Sequence, residues 1–304
     1  MTESATTATS RAARPAEARV KQRAALLSVV TAASLIALKT TTGFLTGSIS
    51  VWASLLDSAM DVFASIVNYF AVRAATRPPD AEHPYGRGKA ESLAGLLQAA
   101  VISVSGLFLI SEAVGRLLRP RPTSHEWLGV ATMFVAAAAS VLLVARLRRT
   151  ADETESPALA ADAAHYASDV YTNGAALLAL FVTALTRWPL ADPLISIAIS
   201  LYILWTAVGV GRESVGDLMD RRLPKWVDRK IARVVGRYRK QGVLGFHDLR
   251  TRRSGSQKFI DLHLEVERHK TLEEAHELTV RVLRDIEREV PRSRVQIHTD
   301  PAGD

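Results

Sequence analysis

Apolar residues along the first two thirds of the chain gather into six runs, at about 24–45, 50–73, 92–115, 125–146, 158–186 and 190–211. Each is close to the ~20 residues that a helix needs to cross a bilayer. Short joints rich in breakers separate them: Gly43 and Gly47, Pro78 and Pro79, Pro120 and Pro122, Pro189. The fifth run is long enough to extend past the bilayer at one end. Residues 1–22 are rich in Ala, Thr, Ser and Arg and show no apolar period, so they are expected to form a flexible basic tail. No signal peptide is expected, because the first apolar run starts late, is long and has no clear cleavage site.

After residue 211 the period shortens and charges appear. Pro224 opens a predicted helix to about Lys240, with Val227, Ile231, Val234, Val235 and Tyr238 on one face. Two strands follow, at 244–253 and 258–267. In the second, Ile260, Leu262, Leu264 and Val266 alternate with Asp261, His263 and Glu265, the pattern of a half-buried strand. Thr271 and Glu274 form a capping box that starts a helix to about Val290. A last strand, 294–299, leads into Asp300. The expected fold is an α-helical membrane protein: a tail (1–22), six transmembrane helices (23–211) and a small α+β domain (212–304) of order α-β-β-α-β.

Charge gives the orientation. Arg11, Arg14, Arg19, Lys21 and Arg23 precede the first run, Arg77, Arg87 and Lys89 lie between the second and third, and Arg146, Arg148 and Arg149 between the fourth and fifth. The first-to-second joint has no basic residue and the fifth-to-sixth only Arg187. Both termini are therefore expected in the cytoplasm. Arg116, Arg119 and Arg121 fall on the outer side and vote the other way. The net charge of +7 could suggest nucleic acid, but basic residues at cytoplasmic membrane edges account for it. The absence of cysteine excludes disulfides, thiolate metal sites, iron–sulfur centres and a cysteine nucleophile.

Ionisable groups in hydrocarbon cost at least ~2.5–3.5 kcal/mol each, so those inside the runs need a reason. The second run carries Asp57 and Asp61, and the fifth His165 and Asp169. Both pairs are spaced i, i+4, which places each pair on one helix face. If the two faces meet, three carboxylates and an imidazole converge, a donor set suited to Zn²⁺ and its neighbours Fe²⁺, Co²⁺ and Cd²⁺. The plainer alternative is polar contact between helices. Asp162 and Asn173 share the fifth helix's face and are candidates for a cytoplasmic approach, with helix-end solvation the alternative for Asp162. Lys39 is read as a structural pair or a side chain reaching for the interface. Metal ligands must shed protons to bind, so the same groups supply a proton couple.

These residues lie in stretches that resemble the cation diffusion facilitators: LLDSAMDVFAS (55–65), HPYGRGKAESLAGL (83–96), HYASDVYTNGAALLAL (165–180), HDLRTRRSG (247–255) and IHTDP (297–301). The resemblance covers about residues 20–300. It implies six spans, a metallochaperone-like cytoplasmic domain, a homodimer, and metal export by proton antiport. Its transport-site positions fall on Asp57, Asp61, His165 and Asp169, and a His in that set is similar to the zinc- and iron-handling members. The family often carries a second site, D-x-x-H-x-x-x-H, in the loop after the second span. Here Asp80 and His83 are present, but Arg87 stands at the second His. A guanidinium keeps its proton and repels a cation, so this site is expected to be weak or lost, with Glu82 a candidate replacement ligand.

In the last domain His247, His263, His276, His298 and Asp300 are candidate ligands, with ordinary solvated histidines as the alternative. His298 and Asp300 alternate on the last strand and so point the same way. The resemblance implies a two-metal cluster on these positions near the dimer contact, bridged by Asp300. His269 and His125 are read as ordinary surface residues. Lys89 and Asp220 are candidates for an ion pair between the spans and the soluble domain, with plain surface charge the alternative.

The expected function is export of divalent metal, Zn²⁺ first and Fe²⁺ next, with Co²⁺, Cd²⁺ and Mn²⁺ further candidates. The expected setting is the cell (inner) membrane, as a multi-pass homodimer in the bilayer, with protons as counter-ion and no nucleic acid partner. A membrane metal sensor that does not transport is the alternative. An intramembrane phosphotransferase, the enzyme rival, needs a D-G-x-x-A-R run that is absent, and it leaves HYASD unexplained.

Overall fold

The computed structural model describes residues 5–46, 49–118, 127–186 and 190–302. It describes side chains for residues 15–42, 44, 58–118, 134–175, 178–179, 181–182, 185–186, 190–191 and 193–302. The chain divides into two compact units, Met1–Val215 and Gly216–Asp304.

The first unit holds six long helices: α1 (Ala5–Thr46), α2 (Ile49–Ala75), α3 (Lys89–Leu118), α4 (Trp127–Thr154), α5 (Pro157–Thr186) and α6 (Ala191–Leu218), the last crossing the unit boundary. Among the described residues, three helical stretches are long and apolar enough to cross a membrane: Pro15–Thr42, Lys89–Leu118 and Pro193–Leu218. Pro78 and Pro79 stop α2 because the residue before a proline is pushed out of helical geometry. Pro157 sits at the first position of α5, where its missing N–H costs nothing, and the Ser156 hydroxyl accepts from the Leu159 N–H (3.4 Å).

The helices pack through small residues. Ala24, Ala25, Ala94, Ala151, Ala158, Ala163 and Ala167 surround Val72, Leu147, Leu159 and Tyr166. Small side chains let backbones approach closely, the usual basis of packing where lipid supplies no hydrophobic drive. Phe63, Phe70, Phe108, Phe134, Leu142, Phe181 and Trp205 point outward, an apolar surface suited to lipid.

The N-terminal segment departs from expectation. Helix α1 begins at Ala5, so the segment expected to be a flexible tail belongs to the same helix as the first apolar run. Within α1, Lys21 is 3% exposed and its Nζ lies 3.0 Å from Glu91 Oε1 of α3. The Ser156 hydroxyl donates to the other Glu91 oxygen at 2.5 Å. A buried lysine needs a buried partner, and this one joins α1, α3 and the start of α5. In sequence, Lys21 is indistinguishable from the basic residues around it.

The second unit contains α7 (Lys225–Gly236), a short 3-10 turn (Arg239–Gln241), β1 (Val243–Ser254), β2 (Gln257–Val266), α8 (Leu272–Glu289) and β3 (Ser293–Pro301). The helix expected to reach Lys240 ends at Gly236. β1 pairs antiparallel with β2, and β2 parallel with β3 across the α8 crossover. Val227, Ile231, Val234 and Val235 of α7 and Leu278, Val282 and Ile286 of α8 cover Ile260, Leu262, Leu264 and Val295. Thr271 caps α8 with the reciprocal Glu274 contact read from the sequence.

β1 contains a bulge. His247 pairs with His263, but the next partners are Arg250 and Asp261. Two residues, Asp248 and Leu249, therefore oppose one, and Asp248 takes a left-handed φ of 50°. Side chains alternate along a strand, so Phe246 and Leu249, three apart, could not otherwise share a face. With the extra residue both pack on the core.

Candidate metal centres

Helices α2 and α5 bring Asp61, His165 and Asp169 together, with one ligand atom from each within 4.8 Å of the others. His165 Nε2 lies 3.0 Å from Asp61 Oδ1, and the ring is 2% exposed. The i, i+4 spacing presents His165 and Asp169 from one face of α5 toward α2. Asp57 falls on α2 one turn before Asp61, but its side chain lies outside the described residues. The three described donors are two carboxylates and one imidazole, a borderline set for a divalent ion.

Around them is a polar layer that the sequence reading missed. Tyr166 is 1% exposed; its hydroxyl is 2.8 Å from Ser65 Oγ and donates to the Ser28 carbonyl at 3.3 Å. Asn68 and Gln98 are also buried, at 1% and 0% exposure. Single amides inside long apolar runs were the available signal, since hydrocarbon penalises them unless they have partners. Lys39, read as a structural pair or a side chain reaching for the interface, donates to Ser58 Oγ at 2.7 Å.

Two proposed approach residues need correction. Asp162 is fully buried. It accepts from Ser28 Oγ (2.5 Å) and Gln98 Nε2 (3.1 Å), which ties α5 to α1 and α3. It is a closed contact rather than a solvated helix end or a wetted wall. Asn173 lies eleven residues further along α5, about 16 Å by helical rise, on the other side of His165 and Asp169. The two cannot line one approach.

In the loop between α2 and α3, Arg87 occupies the place of a cation. Its Nη1 lies 2.5 Å from Asp80 Oδ2, while the His83 N–H donates to Asp80 Oδ1 at 2.8 Å. The guanidinium, helped by that N–H, holds the Asp80 carboxyl below the usual carboxylate range. Gly86, at φ 81°, makes the turn that folds Arg87 back. Glu82 is exposed. Replacing Arg87 with His is expected to add one bound metal per protomer by equilibrium dialysis, with little change in transport. Metal bound through Asp80 and His83 with Arg87 in place would refute this reading.

In the second unit the sheet aligns three histidines across its strands: His247 on β1, His263 on β2 and His298 on β3 are register partners in turn. Asp300 contacts all three. Its Oδ2 is 2.8 Å from His263 Nδ1 and 3.3 Å from His247 Nε2, and its Oδ1 is 3.2 Å from His298 Nε2. The hydrogen bond with His263, followed by the charge of the neighbouring rings, keeps the Asp300 carboxyl below its ordinary value. It therefore stays anionic into mild acid. His247, His263 and Asp300 place ligand atoms within 4.8 Å of one another. His276 is exposed on α8 and, like His298, lies outside that three-residue group, so its part in the cluster stays a proposal. His269 is exposed and lies 3.4 Å from Glu267, as an ordinary surface residue would. Asp220 meets Arg252 at 3.4 Å, and Lys89 opens α3.

His263→Ala is expected to shrink the metal-induced rise in melting temperature of a fragment spanning residues 216–304, because a ligand stabilises the state it binds. An unchanged rise would make the four-residue row an ordinary polar surface.

Comparison with known proteins gives a consistent picture. Residues 25–219 match the cation efflux transmembrane domain, and residues 224–302 the cation efflux protein cytoplasmic domain. The chain is 41% identical over 285 residues to the cation-efflux pump FieF of Citrobacter koseri, covering 94% of both chains. It is 40% identical over the same length to FieF of Klebsiella pneumoniae, again with 94% of both covered. A solved structure of the putative zinc transporter CzrB in its zinc form is 36% identical, covering 27% of this chain and 92% of that one, with a TM-score of 0.25.

Proposed function

The chain belongs to the cation diffusion facilitator family of divalent-metal exporters, and from that premise we propose that it exports Zn²⁺, with Fe²⁺ next, by exchange for protons. The meeting of Asp61, His165 and Asp169 between two apolar helices carries this reading. With Asp57 they would offer three carboxylates and a neutral imidazole, a charge of −3. One divalent ion lowers that to −1. The same lone pairs hold either metal or protons, so loading one expels the other. The imidazole favours Zn²⁺ over harder ions.

The cytoplasmic row fits a regulatory role in which Asp300, with both oxygens engaged, bridges two ions held by His247, His263 and His298. The homodimer, two cytoplasmic termini and a Lys89–Asp220 pair belong to the same proposal. A sensor would need the cytoplasmic row but no ionisable groups in α2 and α5. The decisive experiment is flux in proteoliposomes under an imposed pH gradient, across Zn²⁺, Fe²⁺, Mn²⁺, Co²⁺ and Cd²⁺. Zn²⁺ uptake coupled to proton release is expected. Flux indifferent to the gradient would remove the antiport, and no flux would leave a sensor.

A further inference from the structure

Residues 221–240 hold nine Lys and Arg and one acid, Asp228. That is a net +8 in a chain whose total is +7, so everything else sums to −1. The excess of positive charge is thus concentrated in one short stretch. Helix α7 orders it. Lys225, Arg229, Arg233 and Arg237 recur every four residues on the exposed side, while Val227, Ile231, Val234 and Val235 are buried in the core. Arg239 and Lys240 continue the surface on the next turn.

Part of this charge is used within the unit. Arg222 pairs with Asp228 (3.1 Å) and Arg237 with Glu289 (2.9 Å), and Lys230 donates to the Glu289 carbonyl (2.9 Å). Lys225, Arg229, Arg239 and Lys240 are exposed and in no ion pair among the described residues. Trp226 is 41% exposed, with Lys230 Nζ 5.1 Å from its ring centre. An indole beside lysine suits the headgroup region of a membrane.

The chain also limits where this surface can go. Six residues separate Leu218, the end of α6, from Lys225. Fully extended they span at most about 25 Å. The basic face is therefore tethered to the end of an apolar helix.

We propose that the exposed face of α7 and the turn after it dock on anionic phospholipid headgroups of the cytoplasmic leaflet, given that α6 is a membrane span. The apolar face of α7 is committed to its own core, so the contact is electrostatic rather than inserted. Clusters of basic residues just beyond a span bind anionic leaflets in this way, and salt weakens them. An acidic protein would have to be recruited, whereas the tethered bilayer is always within reach.

The chain has no cysteine, so single labels can be placed in the full-length protein. Ala232→Cys marks the exposed side of α7. Gln296→Cys marks β3, between the outward-facing positions of His298 and Arg294. Each labelled protein is placed in nanodiscs containing a headgroup quencher, made from phosphatidylcholine alone or with phosphatidylglycerol. The expected result is at least about twofold stronger quenching at position 232 in the anionic discs, lost in about 1 M salt, where the screening length is ~3 Å. Arg229→Gln with Lys240→Gln should reduce the difference, and the label at 296 should not respond. Equal quenching in both discs overturns the proposal, as does a difference that survives salt or appears equally at 296. Equal quenching together with shielding of the label by poly-glutamate would overturn it in favour of an acidic protein partner.

Discussion

Asp61→Asn and Asp169→Asn, and Asp57→Asn with them, are expected to yield folded, membrane-inserted protein that moves metal at least about a hundredfold more slowly. The loss should be this large because changes merely behind a metal ligand already cost roughly 10–100-fold. Asn keeps the size of the side chain but removes its charge and presents an amide to the ion. Asp61 is the partner of the buried His165 ring, and Asp169 completes the group from the next turn of α5. Asn can still offer its amide oxygen to the His165 ring, so either change should remove binding energy while the helices stay packed. Proteoliposome flux, with size-exclusion profiles to establish folding, reads the result. Near-parent flux in any of the three removes that residue from the transport site.

His165→Asp should change selectivity rather than simply abolish binding. His165 is the single nitrogen donor of the group, 2% exposed and 3.0 Å from Asp61. Replacing it gives an all-oxygen set with one more negative charge. Oxygen ligands suit harder ions such as Mn²⁺, and the nitrogen that favours Zn²⁺ is gone. The Zn²⁺ over Mn²⁺ preference should fall on the order of tenfold. Competitive uptake of the two ions, in the parent and the variant, measures it. An unchanged ranking would show that His165 is not a ligand, and the site would have to be sought among the remaining acids.

The spacing of Asp57, Asp61, His165 and Asp169 was legible because an i, i+4 pair in an apolar run carries its geometry with it. The order of elements in the second unit was legible for the same reason, since alternation and a capping box are local patterns. Partnerships between distant helices were not. Asp162 looks like a solvated helix end until Ser28 and Gln98, 134 and 64 residues away, close on it. Lys21 looks like part of a basic tail until Glu91 is found beside it. Arg87 was legible as an obstacle to metal, though not as the cation that closes the loop on Asp80.

The bulge in β1 is a matter of parity. Every residue on a strand counts odd or even, and the extra residue at Asp248–Leu249 changes the count midway. Ahead of it, His247 stands level with His263; beyond it, Arg250 stands level with Asp261. Replacing Asp248 by another residue keeps the count, and Gly would even ease the left-handed backbone there. Deleting it would straighten the strand and leave Leu249 alone opposite Leu262, with His247 still level with His263 and Arg250 with Asp261, so that both faces keep their residues. A survey that exchanges side chains one at a time would pass over this position. One that removes residues would find that Asp248 can go without moving His247, because the residue lost is the extra one of the bulge.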